Sequence, residues 1–382
     1  MIDRFIGVVG LVVILGIAYA FSTDRKNVNP RLILWGLILQ FAFALMVMKW
    51  SWGEKGLDWI SRGVTAGLEK ADAGAAFLFG PLANQETLGF IFAFKALPTI
   101  IYISSFFSVL YYLGILQKLV LFMAKIMART MGTSGAESLS TAANVFMGQT
   151  EAPLVVMPYI ASMTYSELCT LMVGGMATIS GGMMAAYISM GIETKFLLAA
   201  SIMNAPAAIV MAKILVPETG TPLTKGEVKL KVERTEVNII DAAARGAGAG
   251  LNLALNVGAM LIAFLSLVAL VNWPLQYVGL SLEQIFAWIF APLAYVMGVP
   301  WADANEVGSL FGKKLIVNEF VAYADLLTLK AANALAPRSE LIATYALCGF
   351  ANLGSIGIQL GGIGDLRRRE SPIWPSSDFA WC

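Results

Sequence analysis

The 382-residue chain contains no histidine. Zinc-dependent hydrolysis and imidazole-based proton transfer therefore lack their usual agent. Cysteine is almost as scarce: the three residues, Cys169, Cys348 and Cys382, stand far apart, and two lie in apolar stretches. They read as buried thiols, because their spacing suits neither a disulfide framework nor a thiolate metal site. Charge is the third shortage. Only 13% of residues are Asp, Glu, Lys or Arg, and the formal net charge is +1. That leaves no basic field to hold a nucleic acid polymer and too little charge to cover a water-soluble globule of this length.

Hydrophobic residues make up 58% of the sequence, and the mean hydropathy is +0.73. Such a surface needs lipid as its solvent, so the chain reads as an all-α, multi-pass protein of the plasma (bacterial inner) membrane. Its first apolar stretch, Ile2 to Phe21, is followed by Asp24, Arg25 and Lys26, not by the small-residue pattern of a cleaved leader, and reads as a retained helix. Further spans are expected from Arg31 to about Met48, Leu88 to Ile115, Tyr165 to Met190, Phe196 to Leu215, Asn252 to Val271 and Leu341 to Leu360. Between Trp52 and Leu78, apolar Leu57, Ile60, Val64 and Leu68 alternate at helical spacing with Lys55, Asp58, Arg62 and Glu69. This pattern predicts a helix lying in the membrane interface.

Cations set the orientation. Arg25, Lys26 and Arg31 follow the first span; Lys118, Lys125 and Arg129 follow the third; Lys225, Lys229, Lys231 and Arg234 follow Leu215; and Arg245 to Lys313 encloses a cation-free stretch. With the N-terminus outside, these basic loops fall in the cytoplasm, although the Trp52–Leu78 segment argues the other way. The polar stretch 217–237 then reads as a cytoplasmic linker, since its composition cannot bury a core.

Two apolar regions resist reading as straight spans. Ala136 to Met163 is interrupted by Asn144, Gly148, Gln149, Thr150, Glu151, Pro153 and Pro158; Glu306 to Leu327 contains Gly308, Gly312, Lys313, Lys314, Asn318 and Glu319. Irregular backbone at membrane depth is tolerated where it is buried in protein or lines a wet cavity, which predicts two re-entrant hairpins. Each precedes another interrupted span with glycine pairs, Gly181-Gly182 and Gly361-Gly362. The order occurs twice and enters from opposite sides, the layout of an inverted repeat. A carboxylate at mid-membrane costs about 2.5 to 3.5 kcal/mol, so Glu151 and Glu319 are expected to face water, a ligand or a cation.

The runs from Asn144 to Pro153, Val317 to Tyr323 and Cys348 to Leu353 resemble the signature segments of the concentrative nucleoside transporter family. That resemblance extends from the first span to about Gly364. It implies a sodium-coupled symporter, a homotrimer in membrane lipid, in which a transport domain moves like an elevator against a scaffold. Its division here would be 1–134 for the N-terminal helices with the interfacial helix, 135–216 for the first transport repeat and 217–237 for the linker. A scaffold helix region, 238–299, and a second transport repeat, 300–364, would follow. By the same resemblance Gly148, Gln149, Thr150 and Glu151 would meet the base of a uridine-like nucleoside, with Met183 and Phe350 packed on its faces. Glu319, Asn352 and Ser355 would hold the ribose. Asn144, Met147, Thr178 and Ile179 would bind sodium, the coupling ion, and no other cofactor is implied. The chemistry suits these roles, because an amide, a hydroxyl and a carboxylate can together read the mixed donors and acceptors of a base edge.

Residues 365–382 depart from the family: a final spanning helix is expected there and a polar tail with three consecutive arginines stands in its place, which reads as the product of a frameshift. Lys95, Lys313 and Lys314 are expected to pair internally or to reach the interface, and the glycine pairs to permit close packing. Two alternatives remain open from sequence. One is a proton-coupled nucleoside carrier; the other is a membrane enzyme with paired carboxylates acting on a lipid-linked substrate.

Overall fold

The computed structural model describes residues 2–84, 89–226 and 236–370. Part of the 217–237 linker, with Lys229, Lys231 and Arg234, and residues 371–382 of the tail lie outside them. Among the described residues all regular structure is helical.

Helix α1 (Ile2–Ala20) leads to α2 (Pro30–Lys49), whose start is fixed by Asn29 accepting from the N–H groups of Arg31 and Leu32, with Pro30 in the first turn. The Trp52–Leu78 segment forms two helices, α3 (Ser51–Leu68) and α4 (Ala71–Phe79). Helix α5 (Phe92–Tyr112) is followed by Leu113 and Gly114, whose φ of 79° suits glycine, and α6 (Ile115–Met131) begins at once.

Helix α6 corrects the sequence reading, which placed Lys118, Lys125 and Arg129 in a loop. They are carried on a regular helix whose other face buries Leu116, Val120, Ala124, Met127 and Met131. The amphipathic spacing was present in the sequence but was masked by the neighbouring apolar span.

The first interrupted region comprises α7 (Gly135–Ala143) and the short α8 (Ala152–Val155) and α9 (Met157–Ile160). The broken helix after it consists of α10 (Tyr165–Ala177) and α11 (Gly181–Met190), followed by α12 (Thr194–Leu215). Helix α13 (Ile239–Gln276) has 38 residues, about 57 Å at 1.5 Å per residue. The span expected at Asn252 to Val271 is its middle, because only about 20 residues are needed to cross hydrocarbon. Helix α14 (Leu282–Val296) is a second element that sequence reasoning missed; it packs against α15 (Trp301–Ile316) and meets it at a bend of 119°. Then follow α16 (Glu319–Ala331), α17 (Pro337–Leu347) and α18 (Leu353–Glu370). Residues 365–370 therefore continue a helix, where a tail was expected from 365.

Small residues let the long helices approach. A Cβ added at Gly250 of α13 would lie 2.8 Å from the Ile101 Cα of α5, and one at Gly308 of α15 would lie 2.7 Å from the Ala291 N of α14. Two apolar cores result. One gathers Ile179, Tyr187, Tyr323, Leu347 and Phe350; the other gathers Leu139, Val145, Ile160, Met172 and Ile209. Among the described residues, five helical stretches are long and apolar enough to cross a membrane: Pro30–Val47, Phe92–Tyr112, Tyr165–Met190, Thr194–Leu215 and Ile239–Gln276.

Candidate functional site

Three helix starts are tied together inside the chain, and each follows a break in the preceding helix. Helix α10 ends at Ala177, Thr178 is extended, and Ser180 caps α11 by accepting from the Met183 N–H at 3.3 Å. Helix α15 ends at Ile316, and the Asn318 side chain caps α16 through the Val321 N–H at 3.0 Å, leaving Glu319 as its first residue. Helix α17 ends at Leu347, and the chain turns through Gly349, at φ 145°, before α18 begins.

The breaks are tied to one another. The Phe350 N–H donates to the Thr178 carbonyl at 3.3 Å. From α12, the Asn204 amide donates to the Ala177 carbonyl at 2.7 Å and to the Cys348 carbonyl at 3.1 Å. One side chain thus satisfies a carbonyl released at each of the two helix breaks.

Glu319 lies at this crossing and is 3% exposed. Its Oε1 accepts from the Tyr187 hydroxyl at 2.7 Å and its Oε2 from the Asn352 amide at 3.0 Å. Two donors use only part of a carboxylate's roughly four lone-pair directions, so acceptor capacity remains. The Asn352 Oδ1 in turn accepts from the Ser355 N–H at 2.8 Å. Beside it, Gln149 donates to the Ser355 Oγ at 3.2 Å and accepts from Gln359 at 3.2 Å. Residues from the first interrupted region, from α11, from α16 and from α18 thereby form one polar cluster. Met183 and Phe350 lie in the apolar core on its flank.

Of the nine positions expected to meet substrate, Gln149, Glu319, Asn352 and Ser355 are brought together by these bonds, with Met183 and Phe350 alongside. Thr150 is exposed at the turn. Glu151 folds back to accept from the Gly148 N–H at 3.1 Å and faces a separate cavity against α5.

Two of the expected ion positions, Asn144 and Thr178, meet at Gly174. Asn144 is fully buried, and neither its Oδ1 nor its Nδ2 has a hydrogen-bond partner. Gly174 is the neighbour that makes room: a Cβ there would lie 3.3 Å from the Asn144 Nδ2. Thr178 donates its hydroxyl to the Gly174 carbonyl at 2.9 Å, the back-bonding common for threonine near a helix end. Met147 borders the break beside Asn144, and Ile179 is completely buried within the other.

Residues 9–82 match the family described as "Na+ dependent nucleoside transporter N-terminus", residues 93–194 "Nucleoside recognition", and residues 196–373 "Na+ dependent nucleoside transporter C-terminus". The transporter YutK of Bacillus subtilis is 41% identical over 368 residues, which cover 94% of this chain and 90% of that protein. The chain belongs to the Na+-dependent nucleoside transporter family.

Membership extends beyond the point reached from sequence, since the match continues past Gly364 to residue 373. Sodium/nucleoside cotransporter 1 of Mus musculus is 39% identical over 94% of this chain, which spans 58% of that protein's length. Among solved structures, CNTnw in an inward-facing substrate-bound state superposes with a TM-score of 0.92 at 41% identity, covering 96% of this chain and 91% of that one. A doubly substituted CNTnw in an outward-facing state gives 0.91 at 39% identity, over 100% and 92%. The family is one of transporters, which removes the membrane-enzyme alternative.

Several residues in the cluster were not singled out from sequence: Tyr187, Asn204 and Gln359. Asn204 carried a signal, as an uncharged amide in the middle of an apolar span costs free energy unless it is bonded. Tyr187 and Gln359 carried none, because either residue can face an interface. Among the lysines, Lys95 pairs with Asp72 at 2.6 Å, Lys313 with Asp325, and Lys314 donates to the Ala346 carbonyl at 2.9 Å, so all three bond internally as expected. Gly181 does permit close packing, against the Phe107 ring, whereas a Cβ at Gly182 would make only ordinary contacts, 3.5 Å from Leu253 and Ser104. Gly361 does not: a Cβ there would meet nothing within 4 Å.

Proposed function

We propose that this chain is a sodium-coupled symporter that carries nucleosides inward across the plasma membrane, with Glu319 holding the ribose. The observation that carries this reading is the buried Glu319 carboxylate, fixed by Tyr187 and Asn352 at the junction of three helix starts with acceptor capacity to spare. Vicinal sugar hydroxyls are the donors such a carboxylate accepts best, in charge-assisted bonds. Asn352 and Ser355 offer the amide and hydroxyl on the same side. Gln149 exchanges its internal partners, Ser355 and Gln359, for the base edge, helped by Gly148, Thr150 and Glu151 at the turn. Met183 and Phe350 supply apolar faces for the ring.

The orphaned Asn144 amide fits a coupling ion, since a buried carbonyl oxygen without a donor is an incomplete site that a hard cation completes. The Thr178 hydroxyl and the main-chain carbonyls of Met147 and Ile179, at unwound helix ends, complete an all-oxygen set of the kind sodium prefers. Sodium thereby joins the two interrupted segments that also hold the substrate, which couples one binding event to the other. Related structures in inward- and outward-facing states support an elevator movement of these segments. The homotrimer is supported by the long α13, which exposes Leu255, Ile262 and Leu270.

Titration calorimetry of the purified chain with uridine tests this reading. Binding is expected to tighten as sodium replaces choline, and Glu319→Gln is expected to weaken it by at least tenfold, the loss of a charge-assisted bond at about 1.5 to 3 kcal/mol. Equal affinity with and without sodium, or tightening by protons instead, would favour the proton-coupled carrier.

A further inference from the structure

A cavity of about 170 Å³ lies between α5, α13, the start of α11 and the first interrupted region, with Glu151 in its lining. At roughly 10 to 15 Å³ for each water it could seat, it is large enough for a ligand of several heavy atoms. Its lining includes Ser104, Phe107, Ser108 and Tyr111 of α5, together with Glu151 and Glu236.

Positions 104, 108 and 111 follow the i, i+4, i+7 spacing of one helix face. Three hydroxyls on one face of a membrane span need a reason. Close packing explains the small size of two of them: a Cβ at Gly246 would lie 2.4 Å from the Ser108 Oγ, and one at Gly250 2.7 Å from the Ser104 Cβ. It does not explain the oxygens, since alanine would pack as closely. The structural bond between α5 and α13 is made by a different serine, Ser105, which donates to the Ala243 carbonyl at 2.8 Å. The wall also presents the Phe107 ring, seated against Gly181, where a Cβ would come within 2.6 Å of a ring carbon. Two carboxylates, two serines and a tyrosine around one aromatic face match the requirements of a sugar attached to a planar ring: acceptors for its hydroxyls and an apolar surface for its base.

Resting on the transport reading, we propose that this cavity is a second nucleoside station on the path to the cytoplasm, with Ser104, Ser108 and Glu236 binding the sugar and Phe107 the base after the substrate leaves Glu319. Glu151 belongs to both stations, as it is two residues from Gln149 and lines this cavity. Glu236 marks the cytoplasmic mouth, because it follows the basic linker that the positive-inside pattern assigns to that side. The station would lower the barrier to release by offering partners as those of the first site are lost.

The test uses the full chain in proteoliposomes and compares wild type with the Ser104→Ala, Ser108→Ala double variant and, separately, with Glu236→Gln. Uridine affinity, measured by calorimetry in sodium, is expected to stay within about twofold of wild type, which also reports that each variant is folded. Counterflow of radiolabelled uridine is expected to slow by about fivefold or more in each, as loss of one or two hydrogen bonds predicts. Wild-type counterflow rates in both variants would overturn the station while leaving the transport reading intact. A changed sodium activation with unchanged uridine rates would assign the cavity to the ion and also overturn it. If wild type itself neither binds nor exchanges uridine, the transport reading fails and the station with it.

Discussion

Lys213 is a buried cation held between carboxylates. It is 5% exposed and lies between the carboxylates of Glu137 at 2.7 Å and Glu218 at 3.1 Å, with the Ser166 hydroxyl at 2.9 Å. Glu137 is itself buried and closes the capping box that starts α7; Glu167 closes the one that starts α10 and accepts from the Ser134 hydroxyl at 2.5 Å. The lysine therefore joins α7, α10 and α12. Removing one member of a buried pair leaves an uncompensated charge and costs about 3 to 5 kcal/mol, whereas removing both costs far less. Lys213→Met is expected to lower the thermal midpoint followed by tryptophan fluorescence, and adding Glu137→Gln to recover much of the loss. A single variant as stable as wild type would refute the pairing argument. None of this was legible in the sequence, because three acids and a lysine spread over residues 137 to 218 become neighbours only through the fold.

At the scale of elements, the broken helices are the feature that the sequence disclosed best. Asn144, Thr178 and Asn318 interrupt apolar runs with residues whose preference for caps and turns is intrinsic, so these breaks could be placed before any tertiary contact was known, whereas the turn at Gly349 was not singled out. What the sequence concealed was how the breaks meet, since the Asn204 bridge links residues far apart in the chain. The amphipathic α6 and the bent pair α14–α15 were also hidden, the one beside a longer apolar run and the other because Pro292 interrupts a short one. Gly349 tests the importance of the crossing. Its φ of 145°, and the 2.8 Å that would separate a Cβ there from the Ala177 carbonyl oxygen, leave no place for a side chain. Gly349→Ala is expected to weaken uridine binding or to lower the thermal midpoint, at a cost of about 1 to 3 kcal/mol. Gly361→Ala, on the same broken helix but with open space around it, is expected to do neither. Equal behaviour of the two variants in calorimetry and melting would contradict the crossing as the rigid centre of the site.

For the whole molecule, the excess of apolar residues, the interrupted segments and the family likeness converge on one account: a membrane carrier whose polar site is assembled from interrupted helical segments. Composition alone supplied the membrane. The signature runs supplied the family, and the structure supplied the partners of Glu319. The account requires that a sodium gradient perform work on a nucleoside and that Glu319 be indispensable to that work. Uptake of radiolabelled uridine into proteoliposomes measures both. With sodium outside and a sodium-free lumen, wild type is expected to accumulate uridine above its external concentration, choline to abolish the accumulation, and Glu319→Gln to reduce it by at least tenfold, as loss of a charge-assisted bond predicts. Concentrative uptake that persists in choline, or that survives intact in the Glu319 variant, would contradict it.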